Sequence, residues 1–333
     1  MVSRRTLITS TAMGAAALAT AGIAVAEEAK TNRVCEILGI EKPVIQASMS
    51  GLTNPELVAA VSNAGGLGII QAVDAETLQA VKALTDKPFA VTSYWFDDEM
   101  LATLKAEGVN IIFLLGMGSV DNGYAVDTAT IQMLKEQGFI VMFRDVNCTV
   151  PAMVAAQEAG ADIVIASGYG QGGHMTETRI TLASMLAEAR PQITVPLVAS
   201  GCIVDAATAA AAAAAGAEGA YVGTRFNASV ESPCADVTKQ AIVDARAEDL
   251  VEWRGVLGFV RGNKTAASEQ WVAADRAGAT RDEMSGMYQS MWAAMLTGDL
   301  ENSAVGMNDA VNNITSIKTC QEIVDDIAAG FLA

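Results

Sequence analysis

Short apolar, β-branched runs recur along the chain from residue 44 onward, each followed by a stretch whose apolar positions suit a helix. The runs are Val44-Ile45, Leu67 to Ile70, Phe89 to Val91, Ile111 to Leu115, Ile140 to Met142, Ile163 to Ile165, Leu197 to Ala199 and Ala220 to Val222. Most neighbouring runs begin 22 or 23 residues apart, the length of one strand, one helix and two short turns. Helix punctuation falls between them: Asn54-Pro55 opens one helix, and Gly108, Gly138, Gly160 and Gly216 close others. Eight such units predict an α/β chain folded as a (β/α)₈ TIM barrel, with an open doubly wound sheet as the alternative that the repeat count disfavours. The intervals before Ile140 and Leu197 are longer and mark insertions. The second insertion carries the glycine-rich stretch Gly168 to Thr178, at the end of strand six where barrels build active sites.

The barrel is expected over residues 34–235, and residues 236–333 are expected to form the last barrel helix with a helical extension or lid. That region is rich in Met and Trp, and the spacing of Met284, Met287, Met291 and Met295 reads as core packing. Of 333 residues 51% are hydrophobic and 18% charged, enough apolar material for one large domain.

Residues 1–26 stand apart. Arg4 and Arg5 precede an apolar stretch from Thr6 to Val25 that ends in Ala24-Val25-Ala26, the pattern of an export signal. The order Ser3-Arg4-Arg5-Thr6-Leu7-Ile8 is of the twin-arginine type, which carries folded protein out of the cytoplasm, so a periplasmic or other extracytoplasmic location is expected. A retained membrane anchor is the alternative, since the stretch is just long enough to span. Once the signal is removed no membrane insertion is expected. Loss of its two arginines takes the formal charge from −17 to −19, which disfavours nucleic acid and anionic membrane surfaces as partners.

Five cysteines without metal-type spacing indicate neither a zinc site nor a dense disulfide framework. A single histidine, His174, excludes a multi-histidine metal site and becomes the most informative residue. It ends the loop Ser167-Gly168-Tyr169-Gly170-Gln171-Gly172-Gly173-His174, whose glycines let backbone approach a flat or anionic ligand beside one imidazole. Ser200-Gly201-Cys202 follows strand seven and Gly223-Thr224-Arg225 follows strand eight, the loops where barrels bind phosphate through backbone N–H groups. Gln46-Ala47-Ser48-Met49-Ser50-Gly51, at the end of strand one, offers small residues over which a planar ring could lie. Together these loops point to a flavin mononucleotide (FMN) site with a histidine beside it.

Pro43 to Gly51, Leu57 to Gly68 (LVAAVSNAGGLG), Gly172-Gly173-His174 and Gly216 to Phe226 (GAEGAYVGTRF) resemble the nitronate monooxygenase (2-nitropropane dioxygenase-like) family, which also includes FMN-dependent enoyl-acyl-carrier-protein reductases. The resemblance spans roughly residues 34–265. It implies an enzyme, an FMN-dependent oxidoreductase, with His174 as the catalytic residue acting as base or electrostatic partner. It further implies FMN phosphate held by backbone around Gly201, Tyr221, Val222, Gly223 and Thr224, and Ala47, Ser48, Met49, Thr92, Ser167 and Gly172 around the ring system. Several positions depart from the family: Ser48 stands for Pro, Thr92 for Asn, Gly170-Gln171 for Glu-Ala, and Cys202 for a second glycine. The small-molecule substrate is then a nitronate or related carbanion. The alternatives are an exported FMN-dependent reductase of activated C=C bonds, served by a redox partner, and a barrel that binds flavin or a phosphate ligand without catalysis. A homo-oligomer is compatible with all three.

Overall fold

The computed structural model describes residues 32–332 apart from 50, 72, 73, 120, 121, 124, 256 and 289. The export signal expected at residues 1–26, and its anchor alternative, lie outside the described residues. A capped helix α1 (Arg33–Leu38) precedes β1 (Val44–Gln46). The repeat then runs α2 (Pro55–Asn63), β2 (Gly68–Ile70), α3 (Ala75–Lys82), β3 (Phe89–Val91), α4 (Asp98–Ala106), β4 (Ile111–Gly116), α5 (Thr128–Glu136), β5 (Ile140–Asp145), α6 (Val150–Glu158) and β6 (Ile163–Ser167). A short strand β7 (Gly173–Met175) intervenes before α7 (Leu182–Ala189), β8 (Leu197–Ser200), α8 (Ala206–Ala214) and β9 (Gly219–Val222). The chain then forms α9 (Thr224–Asn227), α10 (Asp236–Asp244), a hairpin of β10 (Val251–Gly255) and β11 (Gly258–Gly262), α11 (Ala266–Arg276), α12 (Arg281–Tyr288), α13 (Met291–Thr297) and α14 (Cys320–Leu332).

The eight apolar runs are the eight barrel strands, all pairing in parallel in the order β1-β9-β8-β6-β5-β4-β3-β2. The two outer strands meet through an Ile45–Leu67 bridge, with Gln46 N donating to Leu67 O and Leu67 N to Val44 O, both at 2.9 Å. Buried Gln46 reinforces this seam, its Oε1 accepting from Ile69 N at 3.0 Å. Alternate residues divide between two cores, as strand geometry requires. Ile45, Ile69, Phe113, Met142, Ile165 and Val198 fill the barrel, whereas Val44, Ile70, Ile112, Val141 and Val164 face the helices. Val34 and Leu38 of α1 join the interior core at the strands' N-terminal end. The opposite end is left for chemistry.

Helix caps follow the expected punctuation. Asn54 Oδ1 accepts from Leu57 N at 3.0 Å at the start of α2, and Gly108, Gly138, Gly160 and Gly216 all adopt positive φ after their helices. Close helix–strand packing makes Gly68 irreplaceable: a Cβ there would stand 2.4 Å from Val58 O and 2.7 Å from its Cα, both backbone atoms of α2. Gly68→Ala is therefore expected to destabilise the protein by about 1–3 kcal/mol through overpacking. Thermal unfolding checks this, and an unchanged Tm would contradict it.

Residues 236–333 depart from the helical reading in two ways. The last barrel helix is α14, at the end of the chain, so the extension precedes it instead of following it. Helix α14 packs on α2 and on α8, whose near-continuous alanine accepts it closely: a Cβ at Gly330 would lie 2.5 Å from Ala206 O. The second departure is the β10–β11 hairpin, which pairs antiparallel with β7 to make a separate three-stranded sheet. Its inward residues Trp253 and Val260 pack with Trp271, Met284, Tyr288 and Met291 in a core of their own. Met295 belongs to a neighbouring core and Met287 is exposed. No helix among the described residues is long and apolar enough to cross a membrane.

Candidate active site

The loops that leave the C-terminal ends of the strands surround a cavity of about 220 Å³. Ala47, Ser48, Met49, Thr92, Gly172, His174, Gly201, Tyr221, Val222, Gly223 and Thr224 all line it, so the fold brings together residues drawn from five separate loops. Ser167 is the exception. Its side chain is fully buried beneath the cavity, where its Oγ accepts from Arg144 Nε at 2.8 Å. It orients a cavity residue instead of forming the wall.

Arg144, not foreseen as a site residue, ends β5 on the inward face. Its Nη2 donates to Gln171 Oε1 at 2.7 Å, and its guanidinium stands 5.8 Å from the Tyr221 ring. Among the described residues no carboxylate pairs with it. Tyr221 closes the floor: its ring stacks on Phe113 at 5.2 Å, its hydroxyl accepts from Ser48 N at 2.9 Å, and burial pushes its pKa up to about 12.

His174 sits on β7, opposite Val260 of β11, so the extension's hairpin fixes the backbone that carries it. Trp292 of α13 lies against the imidazole at 5.5 Å between ring centroids, and Tyr288 approaches its edge at 6.4 Å. Burial first, and the Arg144 charge second, lower the imidazole pKa to about 4. His174 is consequently neutral at ordinary pH.

The glycine-rich loop is held from outside by a charged cluster. Arg261 Nη2 and Nε donate to Glu252 Oε1 at 2.6 and 3.1 Å, Tyr169 donates to Glu252 Oε2, and Arg261 Nη1 reaches Gln171 O at 3.4 Å. Glycine at 172 is obligatory because a Cβ would lie 2.1 Å from the Met307 carbonyl carbon. Cys202 has φ +61°, a left-handed conformation that explains why glycine suits this position; its Sγ lies 2.8 Å from Asp309 Oδ1.

Gly223 precedes α9 without a side-chain cap, so the first N–H groups of that helix have no intrahelical acceptor and suit an anion. Ala47 and Met49 adjoin it, since a Cβ at Gly223 would meet Ala47 Cβ and Met49 Sδ at 3.6 Å, and with Gly172 they present small or flexible surface to the cavity. Gln171 Nε2 and Asn227 Oδ1, both buried in cavity-lining residues, have no hydrogen-bond partner among the described residues. A phosphorylated, planar, hydrogen-bonding cofactor fits this donor set.

The nitronate monooxygenase family model matches residues 31–330. The chain belongs to the nitronate monooxygenase family. It is an oxidoreductase. A probable nitronate monooxygenase of Staphylococcus saprophyticus is 31% identical over 274 residues, covering 68% of this chain and 77% of that protein. FabK from Thermotoga maritima shares 31% identity with a TM-score of 0.79, over 90% of this chain and 96% of that one. A nitroalkane oxidase from Streptomyces ansochromogenes, at 24% identity and a TM-score of 0.69, has the same fold over 88% of this chain and 96% of that one. Within this nitronate monooxygenase family member, sequence reasoning missed Arg144, Gln171, Tyr94, Trp292 and Asn308 as cavity residues. Arg144 did leave a signal, the Arg144-Asp145 pair of charges closing an apolar strand on the active face. Trp292 left none, since only the folded extension brings it to His174.

Proposed function

We propose that this protein is an FMN-dependent oxidoreductase that oxidises a nitronate or related carbanion. The observation that carries the reading is the guanidinium of Arg144, which makes no salt bridge among the described residues, lining the same cavity as the neutral imidazole of His174 and close enough for its charge to lower that imidazole's pKa. A substrate that is already an anion needs a cation and a hydrogen-bond donor more than a base. A base of pKa about 4 is too weak to take a proton readily from a neutral nitroalkane.

Backbone around Gly201, Gly223 and Thr224 would hold the FMN phosphate, with Ala47 to Met49 and Gly172 along the ring system and Gln171 Nε2 available to its polar edge. When bound, FMN would accept the substrate's electrons and pass them to dioxygen or another acceptor. Arg144 holds the anionic substrate, Ser167 and Gln171 hold Arg144, and His174 orients the substrate by hydrogen bonding. Oxygen uptake on adding an alkyl nitronate, compared with the parent nitroalkane at the same pH, tests the reading. Faster uptake with the nitronate is expected; no uptake with either would overturn it.

A second reading, an exported FMN-dependent reductase of activated C=C bonds, is favoured by a Mycobacterium tuberculosis relative named as a carboxyl-CoA dehydrogenase. It is 31% identical over 230 residues, covering 65% of this chain and 61% of that protein. The Arg4-Arg5 leader supports export of folded, FMN-loaded protein. Fractionation of cells expressing the parent protein and an Arg4→Lys, Arg5→Lys variant tests that: the variant is expected to stay in the cytoplasm, and equal export of both would contradict it.

A further inference from the structure

We propose that Tyr94 and Trp292 make the cavity selective for a substrate that carries an aromatic ring beside its reacting carbon. The proposal rests on the carbanion-oxidising reading and names the substrate class for that same site. Tyr94, in the loop after β3, lines the cavity yet is 60% exposed, a large aromatic face that gains burial only when a ligand covers it. Trp292 comes from α13 in the extension, a separate part of the rim, and is seated rather than loose. A Cβ at Gly173 would meet its Cη2 at 3.1 Å, and one at Gly306 its Cζ3 at 3.4 Å, so the indole lies against two positions kept free of side chains.

That seat places the indole beside His174, 5.5 Å between centroids and tilted by 35°. A ring attached to the reacting carbon would therefore meet Trp292 when its anionic group lies between His174 and Arg144. Leu52, Leu115, Val146 and Leu257 add apolar surface to the cavity lining. Arg144 is the one charged side chain among the described lining residues, so charge is provided for the anion and none for a substituent. Aromatic pairs gain from edge and offset contacts beyond simple area burial, which favours an aryl group over an alkyl group of similar bulk.

The test uses FMN-loaded protein and two nitro compounds that lack an α-hydrogen, nitrobenzene and 2-methyl-2-nitropropane, neither of which can become a nitronate. Isothermal titration calorimetry is expected to show nitrobenzene binding about tenfold more tightly. That ratio should fall towards one in Tyr94→Ala and in Trp292→Leu. Equal affinities in the parent protein, or a ratio unchanged in both variants, would overturn the proposal. So would release of FMN from both variants, because the two rings would then be serving the cofactor. Absence of nitronate turnover with the binding ratio intact would sink the functional reading alone, whereas equal affinities in an enzyme that turns over nitronates would sink only the aromatic preference.

Discussion

Replacing His174 by Ala is expected to lower turnover of a nitronate by about 10²–10⁴-fold while leaving bound flavin in place. The flavin should stay because the residues read as holding its phosphate, around Gly201 and Gly223, and Ala47 to Met49 along its ring system lie on other loops, while Gln171 and Gly172 on the histidine's own loop keep their side chains and backbone. The pH dependence follows from the direction of the pKa shift. Burial and Arg144 both disfavour the imidazolium, so the folded-state pKa of about 4 lies below the ordinary imidazole value of 6.5. His174 is then neutral throughout the neutral range and charges only as pH falls through about 4. The parent enzyme should show no acid limb from His174 near pH 6.5, and activity should fall only towards pH 4. A limb near 6.5 that disappears in His174→Ala would contradict this placement of the histidine. Unchanged turnover in the variant would remove His174 from the reaction.

Arg144→Gln is expected to raise KM for a nitronate by roughly ten- to a hundredfold, the worth of a charged hydrogen bond in a partly buried site. Arg144→Lys keeps a cation but cannot reach Ser167 Oγ and Gln171 Oε1 together as the guanidinium does, and should recover only part of the loss. Loss of the charge also removes the lesser of the two influences that depress the His174 pKa, so the acid limb should move upward. Steady-state kinetics across pH measure both effects. A neutral inhibitor of similar size should bind Arg144→Gln about as well as it binds the parent. If KM for the anion and for neutral ligands rose together, the role of Arg144 would be structural.

The barrel was legible because its strands are short and buried on both sides, leaving uninterrupted apolar runs at a regular interval. The cavity was legible where it is built near strand ends: Gly201 and Gly223 directly follow β8 and β9, and the Gly172-Gly173-His174 stretch comes a few residues after β6. Legibility failed where position depends on the extension. Val251 to Gly262 forms a hairpin on alternating residues, with Trp253 and Val260 inward, but its glycines and arginines obscure that period in a region otherwise helical. Its role, pairing with β7 to fix His174, exists only between segments some 80 residues apart. Where in residues 236–333 the final barrel helix falls was not legible for a similar reason, because α14 completes the ring only after the chain returns from that excursion. Ser167 was expected at the ring system from the family resemblance, but its strand register turns it inward towards Arg144.

The most direct test of a flavin site that oxidises carbanions is the visible absorption spectrum of the purified protein, recorded without oxygen before and after adding an alkyl nitronate. The account predicts a flavin band that bleaches on addition and returns when air is admitted. A colourless protein that takes up no FMN would contradict the cofactor reading, and a flavin band that persists through the addition would contradict the proposed substrate.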